Sequence, residues 1–211
     1  MKGKFITFEG ADGGGKSTQV QLAAQWLRQK GFEVVTTREP GGTVLAEKVR
    51  ELVLDPALPL NTISQTLLYL AARSEHVEKV IKPALNAGKM VLCDRFSDST
   101  LVYQGLSCDK IMAELAELRQ LNDFACKGLV PDLTILLDGN PDVLAERRAQ
   151  RGVTDRYEEK GLAFQKKLRA GFRALAAGEP ERIKIVNAEA DMQAVAKEIE
   201  ILLAKLLQGI E

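Results

Sequence analysis

The feature that most constrains the fold is a glycine-rich segment directly after a short apolar run. Residues 5–8 read FITF, and residues 10–18 read GADGGGKST. Gly10, Gly15, Lys16 and Ser17 match the pattern GxxxxGK followed by Ser or Thr, which requires a strand before it and a helix after it. The apolar run suits the strand, and the residues after Ser17 suit the helix. The sequence therefore predicts a phosphate-binding P-loop at the end of a buried strand.

The composition of this loop suits an anionic ligand. Glycines tolerate positive φ, so successive backbone N–H groups can turn inward, and the start of a helix adds the positive end of its dipole. Lys16 is expected to reach the β and γ phosphates of ATP, and the Ser17 hydroxyl to complete the coordination of Mg²⁺. The expected ATP-binding residues are Gly10, Ala11, Asp12, Gly13, Gly14, Gly15, Lys16, Ser17 and Thr18. The alternative, a glycine-rich turn without a ligand, is disfavoured by the strand and helix on either side.

Composition limits the class of protein further. The 211 residues suit one domain, residues 1–211, that buries a full core without disulfides or metals. Lys plus Arg and Asp plus Glu balance at 29 each, so we expect no nucleic-acid partner and no anionic membrane surface. No apolar run is long enough for a membrane span, no signal peptide is recognisable, and Cys93, Cys108 and Cys126 form no disulfide or metal pattern. These features predict a soluble cytoplasmic protein.

Apolar, β-branched runs alternate with longer segments of helical period. The predicted strands are residues 4–9, 33–37, 89–94, 132–138 and 182–187. Their continuous apolar character is typical of parallel strands covered on both faces. Helical periodicity covers residues 17–30, 61–87 with a kink at Pro83, and 192–206. The pattern predicts an α/β three-layer sandwich with a five-stranded parallel sheet, the P-loop NTPase fold.

Arginines follow the ends of the predicted strands. Arg38 comes after the second strand, Arg95 after the third, and Arg73 lies on the long helix between them. In an open parallel sheet ligands bind outside the carboxyl ends of the strands, so Arg38 and Arg95 are expected to face the P-loop and to clamp a second phosphate. Asp94 closes the third strand, where a P-loop protein keeps an acid for Mg²⁺ or its waters. Asp138 closes the fourth strand and is interpreted as structural.

Five further motifs follow the P-loop in order, and together they resemble the bacterial thymidylate kinases. They are TREPGG (37–42), LLYLAARSEH (67–76), DRFSDSTLVYQG (94–105), PDLTILLD (131–138) and RRAQRGVTDR (147–156). The resemblance covers nearly the whole chain. It implies transfer of the ATP γ-phosphoryl group to thymidine monophosphate (dTMP), which gives dTDP and ADP in dTTP biosynthesis. It also implies a homodimer.

The resemblance assigns four residues to the phosphate and sugar of the acceptor. Arg38 and Arg95 would hold the acceptor phosphate. Tyr103 would pack against the deoxyribose where a 2′-hydroxyl would lie. Asp12 would hold the 3′-hydroxyl or waters near the phosphates.

Four other residues are assigned to the thymine base. Tyr69 stands in the place of the ring that stacks on thymine, where phenylalanine is usual in the family. Arg73 would donate to a base carbonyl, and Ser99 and Gln104 would complete base recognition. A nucleobase pocket of this kind combines an aromatic face with a few polar groups.

The resemblance also implies a short arginine-rich lid at about residues 146–158. The variable P-loop positions, residues 11–14, contain no arginine, which indicates a catalytic arginine in the lid instead. Arg148 and Arg151 are the main candidates, with Arg156 next, and the sequence leaves the choice open. The catalytic set is then Lys16, Asp94, Arg95, Arg148 and Arg151, and the adenine of ATP is expected near residues 187–191.

Two other functions remain open at this level. A kinase of another nucleoside monophosphate would share the mechanism and differ in the acceptor pocket. A P-loop regulatory ATPase would bind ATP but would not explain the set formed by Arg38, Tyr69, Arg73 and Arg95.

Overall fold

A computed structural model describes residues 3–106, 112–149, 157 and 160–208, without the side chains of residues 112, 113 and 148. Its strands are β1 (Phe5–Glu9), β2 (Val34–Arg38), β3 (Met90–Asp94), β4 (Leu133–Asp138) and β5 (Ile183–Asn187). They form one sheet in the order β2-β3-β1-β4-β5, and every neighbouring pair is parallel. The predicted α/β fold and its five strands are confirmed, with strand bounds shifted by at most one residue at either end.

The helices of the described residues connect these strands and cover both faces of the sheet. They are α1 (Lys16–Gln29), α2 (Val44–Leu54), α3 (Thr62–His76), α4 (Lys82–Asn86), α5 (Ser97–Thr100), α6 (Met112–Cys126), α7 (Pro141–Ala149), α8 (Gly161–Gly178) and α9 (Met192–Gln208). Two π-helical turns, Val77–Ile81 and Leu101–Gly105, continue α3 and α5. Of these helices, none is long and apolar enough to cross a bilayer.

The side chains of the central strand β1 alternate between two buried clusters, one on each face of the sheet. Ile6 and Phe8 belong to a buried cluster with residues of α1 and α9, whereas Phe5 belongs to a cluster with the helical residues Val77 and Ile81. Because successive strand residues point to opposite faces, Phe5, Thr7 and Glu9 share the second face. A sheet between two helical layers therefore forms the predicted three-layer sandwich.

The long helical segment predicted at residues 61–87 is helical but not uniform. α3 ends at His76, a π-helical turn spans Val77–Ile81, and Pro83 lies in the first turn of α4. Proline has no N–H to donate and its ring clashes with a carbonyl one turn earlier, so the wider turn accommodates it. α2 was not predicted at all, although Thr43 caps it by accepting from the amide of Ala46 at 3.1 Å.

Candidate functional site

The segment after β1 forms the predicted P-loop. Gly10, Gly13 and Gly15 have positive φ of 127°, 90° and 82°, and a side chain at Gly10 would collide with the carbonyl oxygen of Leu137. α1 starts at Lys16 with Gly15 as its N-cap and no capping side-chain hydrogen bond. The first amides of α1 are therefore left for a ligand, which makes this end of the helix an anion site.

Lys16 is built into this loop. It is 6% exposed, and its Nζ donates to the carbonyl oxygens of Gly10 at 3.1 Å and Ala11 at 2.9 Å. Its Nζ lies 3.7 Å from a carboxylate oxygen of Asp12. Burial and then Arg95 lower the pKa of Lys16, while Asp12 opposes them. Of the three ammonium N–H groups, one is left for a phosphate oxygen.

Ser17 and Asp94 meet at the carboxyl end of the sheet. The Ser17 hydroxyl donates to Oδ2 of Asp94 at 2.6 Å. The two side chains offer a hydroxyl and a carboxylate oxygen, the type of ligand that Mg²⁺ prefers. Among the described residues no group of three His, Cys, Asp or Glu side chains could hold a metal ion. A Mg²⁺ at this pair would thus keep most of its shell for water and phosphate oxygens.

A large cleft runs along the P-loop and continues to the segment after β5. Its walls include residues 12–19, Arg38, Asp94, Arg95 and residues 188–192. The segment predicted to meet adenine therefore borders the same cleft as Lys16. Arg147 on α7 holds this segment by donating to the carbonyl oxygens of Ala188 at 2.6 Å and Glu189 at 3.1 Å.

A second, smaller pocket adjoins the cleft on the other side of Asp12. Seven of the eight predicted acceptor-binding residues line it: Asp12, Tyr69, Arg73, Arg95, Ser99, Tyr103 and Gln104. The eighth, Arg38, lines the P-loop cleft instead, where it is half exposed and pairs with Glu47 at 3.1 Å. Arg38 and Arg95 both border the P-loop cleft, as expected, but only Arg95 also lines the smaller pocket.

Arg95 stands between the two cavities and lines both of them. Its Nη2 donates to Asp12 at 2.6 Å, its Nη1 donates to the carbonyl oxygen of Gly10 at 3.0 Å, and its guanidinium lies 5.0 Å from the ring centroid of Tyr103. Burial raises the pKa of Asp12, but Arg95 and then Lys16 outweigh it and hold that pKa well below its usual range. Asp12 is therefore an anion that orients both cations.

Arg73 is held more tightly than the sequence suggested. It is 2% exposed, and it donates through Nε to Glu39 at 2.7 Å, through Nη1 to Thr100 at 2.8 Å and Asn122 at 2.6 Å, and through Nη2 to the carbonyl oxygen of Phe96 at 3.0 Å. Four of its five N–H groups are used in these bonds. At most one N–H group remains for a base carbonyl, so Arg73 mainly stabilises the wall of the pocket.

Ser99 and Gln104 reach the pocket with defined orientations. The Ser99 hydroxyl donates to Glu9 at 2.6 Å and accepts from Nη1 of Arg95 at 3.2 Å. Nε2 of Gln104 donates to the hydroxyl oxygen of Tyr157 at 2.8 Å. One of the two N–H groups of the Gln104 amide is used on Tyr157, which leaves its carbonyl oxygen and its second N–H for a ligand.

Several pocket residues were missed by the sequence analysis. Glu39, Arg50, Thr100 and Tyr157 line the pocket, and Glu9 lies behind it. The position of Glu9 could have been noticed in the sequence, because an acid at the end of a buried apolar strand needs hydrogen-bond or charged partners. Tyr157 gave a weaker one, as an aromatic residue directly after the arginine-rich segment. The partners of Glu39 and Thr100 come from distant segments, so no local pattern reveals them.

Of the remaining predicted residues, Asp138 is described by the structure, whereas the side chains of the lid candidates are not. Asp138 accepts from Nε of Arg169 at 2.8 Å, Nη2 of Arg169 at 2.9 Å and Nη1 of Arg173 at 2.8 Å, which agrees with its structural interpretation. The lid candidates Arg151 and Arg156, and the side chain of Arg148, lie outside the described residues.

Comparisons with known proteins agree with this geometry. A family model described as thymidylate kinase matches residues 8–199. A thymidylate kinase from Exiguobacterium sp. (strain AT1b) is 43% identical over 211 residues, which cover 99% of this chain and 98% of that protein. A thymidylate kinase from Synechococcus sp. is 48% identical over 194 residues, which cover 91% of this chain and 90% of that protein.

A solved structure gives the same result for the fold. The crystal structure of thymidylate kinase from Ehrlichia chaffeensis matches with a TM-score of 0.78 at 35% sequence identity, covering 97% of this chain and 99% of that chain. With a family model over most of its length and relatives of this identity and coverage, the chain belongs to the thymidylate kinase family.

Proposed function

We propose that this chain transfers the γ-phosphoryl group of ATP to dTMP, giving dTDP and ADP. The observation that carries the proposal is the position of Arg95, which lines the P-loop cleft and the nucleoside pocket at once. Two anionic substrates bound on either side of it would present their phosphates to each other. We treat residues 1–211 as one kinase domain, because one sheet carries both cavities.

ATP binds in the P-loop cleft. The amides of residues 10–18 and the free N–H of Lys16 bind the phosphates, and the adenine lies along residues 187–191 beside Arg147. Ser17 and Asp94 would hold Mg²⁺, and the ion would supply positive charge to neutralise the phosphates of ATP. The distance of 2.6 Å between their oxygens supports one shared ligand site.

dTMP binds in the smaller pocket with its phosphate at Arg95. Tyr69 offers a half-buried ring to the base, and the carbonyl oxygen of Gln104 accepts a base N–H. Tyr103, 6% exposed and beneath the Arg95 guanidinium, occupies the space next to the sugar. Arg38 approaches the transferred phosphoryl group from the cleft side.

Catalysis in this arrangement is positioning and charge stabilisation. Phosphoryl transfer needs the attacking and leaving oxygens in line, and it spreads negative charge over the transferred group. Lys16 and Arg95 supply fixed positive charge at that point, and Asp12 keeps both side chains oriented. Arg148 and Arg151 remain our candidates for the additional cation from the lid.

The direct test is phosphoryl transfer from ATP to a panel of nucleoside monophosphates. We expect dTMP to have a higher kcat/KM than the ribonucleotides UMP, CMP and AMP, because Tyr103 would pack where their 2′-hydroxyl would lie. A preference for a ribonucleotide would indicate another nucleoside monophosphate kinase. ATP hydrolysis that no monophosphate accelerates would indicate a regulatory ATPase.

We also propose that the protein is a homodimer formed through α3 and α6. Ile63 and Leu67 lie one turn apart on α3 and are 70% and 52% exposed, and Leu121 and Phe124 on α6 are 47% and 84% exposed. The two helices pack against each other, and we propose that these side chains contribute to one apolar surface. Contiguous exposed apolar surface of this kind is typical of protein interfaces, and the family resemblance implies a second copy as its occupant.

Replacing Phe124 by Glu is expected to convert the dimer to monomer at micromolar concentration, because it places a charge on the proposed apolar interface. Sedimentation velocity measures the change. Ile201→Glu on α9, where Ile201 is 49% exposed, is the matched control and should stay dimeric. A wild-type protein that sediments as a monomer would contradict the proposal.

A further inference from the structure

Glu9 is a buried acid that the proposed chemistry does not use. It is the last residue of β1 and is 1% exposed. Its Oε1 accepts from the amides of Phe96 at 2.8 Å and Ser99 at 3.2 Å, and its Oε2 accepts from the Ser99 hydroxyl at 2.6 Å. All three donors belong to the turn after β3 and the start of α5. A single carboxylate thus holds a segment more than eighty residues away in sequence.

The segment that Glu9 holds is strained. Arg95 has φ of 70°, a left-handed conformation that is unfavourable for a residue with a long side chain. Its own amide donates to the carbonyl oxygen of Phe8 at 2.9 Å, and the next amide, of Phe96, donates to Glu9. Two consecutive residues of β1 therefore hold the two sides of the strained turn. Such a conformation persists only where the surroundings compensate for its cost.

We propose that Glu9 is a positioning residue for the acceptor side of the reaction: its carboxylate fixes residues 95–99 so that Arg95 and Ser99 are presented correctly to the acceptor nucleotide. The inference rests on the proposed function, since it names what supports the dTMP pocket. Glu9 itself is not among the residues that line either cavity. It acts through the residues that do.

The ionised form of Glu9 is the form that matches its partners. A carboxylate is an acceptor only, and all three of its contacts are donors. The Ser99 oxygen accepts from Arg95 while its hydrogen goes to Glu9, so one lone pair of that oxygen is left toward the pocket. If Oε2 were protonated, it would donate to the Ser99 oxygen and force the Ser99 hydrogen to turn away. Protonation would therefore change the hydrogen bonds that hold the turn and would change whether Ser99 presents a lone pair or a hydrogen to the pocket.

The surroundings place this protonation near neutral pH. Burial, and secondarily the neighbouring carboxylate of Asp98, raise the pKa of Glu9 from about 4.5 to about 7, although Arg95, the Ser99 hydroxyl and the Phe96 amide oppose them. Among the described residues, Lys16, Arg73 and Cys93 also interact electrostatically with Glu9. Asp98 is itself paired with Arg182 at 2.7 Å.

The sign of the pH dependence follows from the raised pKa. The positioning is complete above pH about 7, where Glu9 is ionised, and is lost as the pH falls through about 7. Stability changes in the opposite direction. Because the folded state holds the proton more tightly than the unfolded chain, the contribution of Glu9 to stability falls as the pH rises from about 4.5 to about 7.

The test is Glu9→Gln compared with the wild type over a range of about pH 6 to about pH 9. The glutamine keeps Oε1 for the two amides, but its Nε2 donates to the Ser99 oxygen as the protonated acid would. At about pH 8 we expect kcat/KM for dTMP to fall about 10- to 100-fold, with the KM for ATP nearly unchanged. The ratio of wild type to variant should have about half of its high-pH value near pH 7, the pKa of Glu9, and should fall several-fold further toward pH 6, because ever less of the wild-type Glu9 is ionised. This ratio cancels the titration of the dTMP phosphate, which both enzymes share.

A control variant and two independent measurements make the outcome decisive. Glu33→Gln changes an exposed acid paired with Lys89 and should match the wild type at every pH. Circular dichroism and thermal unfolding report whether Glu9→Gln folds, and calorimetric binding of dTMP without ATP gives a readout independent of turnover. A ratio that does not change with pH, or wild-type kcat/KM in the variant at about pH 8, would overturn the role of Glu9.

Failure of the proposed function would look different. If the wild type prefers another monophosphate, the assignment of dTMP fails, but the same ratio measured with the preferred monophosphate still tests Glu9. If the wild type transfers phosphate to no acceptor and binds none, the proposed function and the role of Glu9 both fail.

Discussion

Replacing Arg95 by Ala is expected to lower kcat/KM for dTMP about a thousand-fold, with a much smaller effect on the KM for ATP. In the proposed arrangement the guanidinium supplies the cation between the two phosphates, and a fixed donor at such a place contributes about 3 to 4 kcal/mol to the transition state. The substitution also removes the cation that lies 2.6 Å from Asp12, so less positive charge would separate that carboxylate from the incoming phosphate. Steady-state kinetics with dTMP varied at saturating ATP measures the loss.

Two further variants separate the parts of this effect. Arg95→Lys keeps the charge but loses the planar pair of donors, so it should recover only part of the activity. Arg28→Ala removes an exposed arginine that donates to the carbonyl oxygen of Val34, and it should behave as wild type. A regulatory ATPase would hydrolyse ATP at the same rate with or without Arg95. Unchanged dTMP kinetics in Arg95→Ala would therefore refute the role assigned to Arg95.

Replacing Lys16 by Met is expected to lower kcat about a thousand-fold or more and to weaken ATP binding. The methionine keeps the length of the side chain but removes the charge at the β and γ phosphates. It also removes the donor to the carbonyl oxygens of Gly10 and Ala11, so the loop loses two internal hydrogen bonds. Single-turnover phosphoryl transfer and calorimetric titration with ATP measure the two effects separately.

The control for Lys16 is Lys197→Met on α9, where the lysine side chain is 74% exposed and pairs with Glu200. It should leave kcat and ATP affinity unchanged. Because the donor and acceptor bind in adjoining cavities, dTMP binding without ATP should survive in Lys16→Met. Near-normal turnover in that variant would contradict the assigned site of ATP.

The P-loop shows how far local sequence can predict a site. Its strand, turn and helix follow each other directly, so the positions of Gly10, Lys16 and Ser17 depend on neighbours within the same short segment. The five strands could be predicted equally well from the sequence, because continuous apolar runs already indicate burial on both faces of a sheet. The expected roles of the lid arginines Arg148, Arg151 and Arg156 stay predictions.

The sequence by itself therefore determined the parallel α/β architecture and the P-loop, and its resemblance to the thymidylate kinases named most of the residues that line the smaller pocket. The tertiary structure alone decided how those side chains are used. Arg73 uses three of its N–H groups to donate to Glu39, Thr100 and Asn122. Arg38 lies along the P-loop cleft and does not line the smaller pocket. Glu9 meets the turn at Arg95 only because β1 and β3 are neighbours in the sheet. Local patterns report burial and turn chemistry, whereas the hydrogen-bond partners of a buried charge come from segments that only folding brings together.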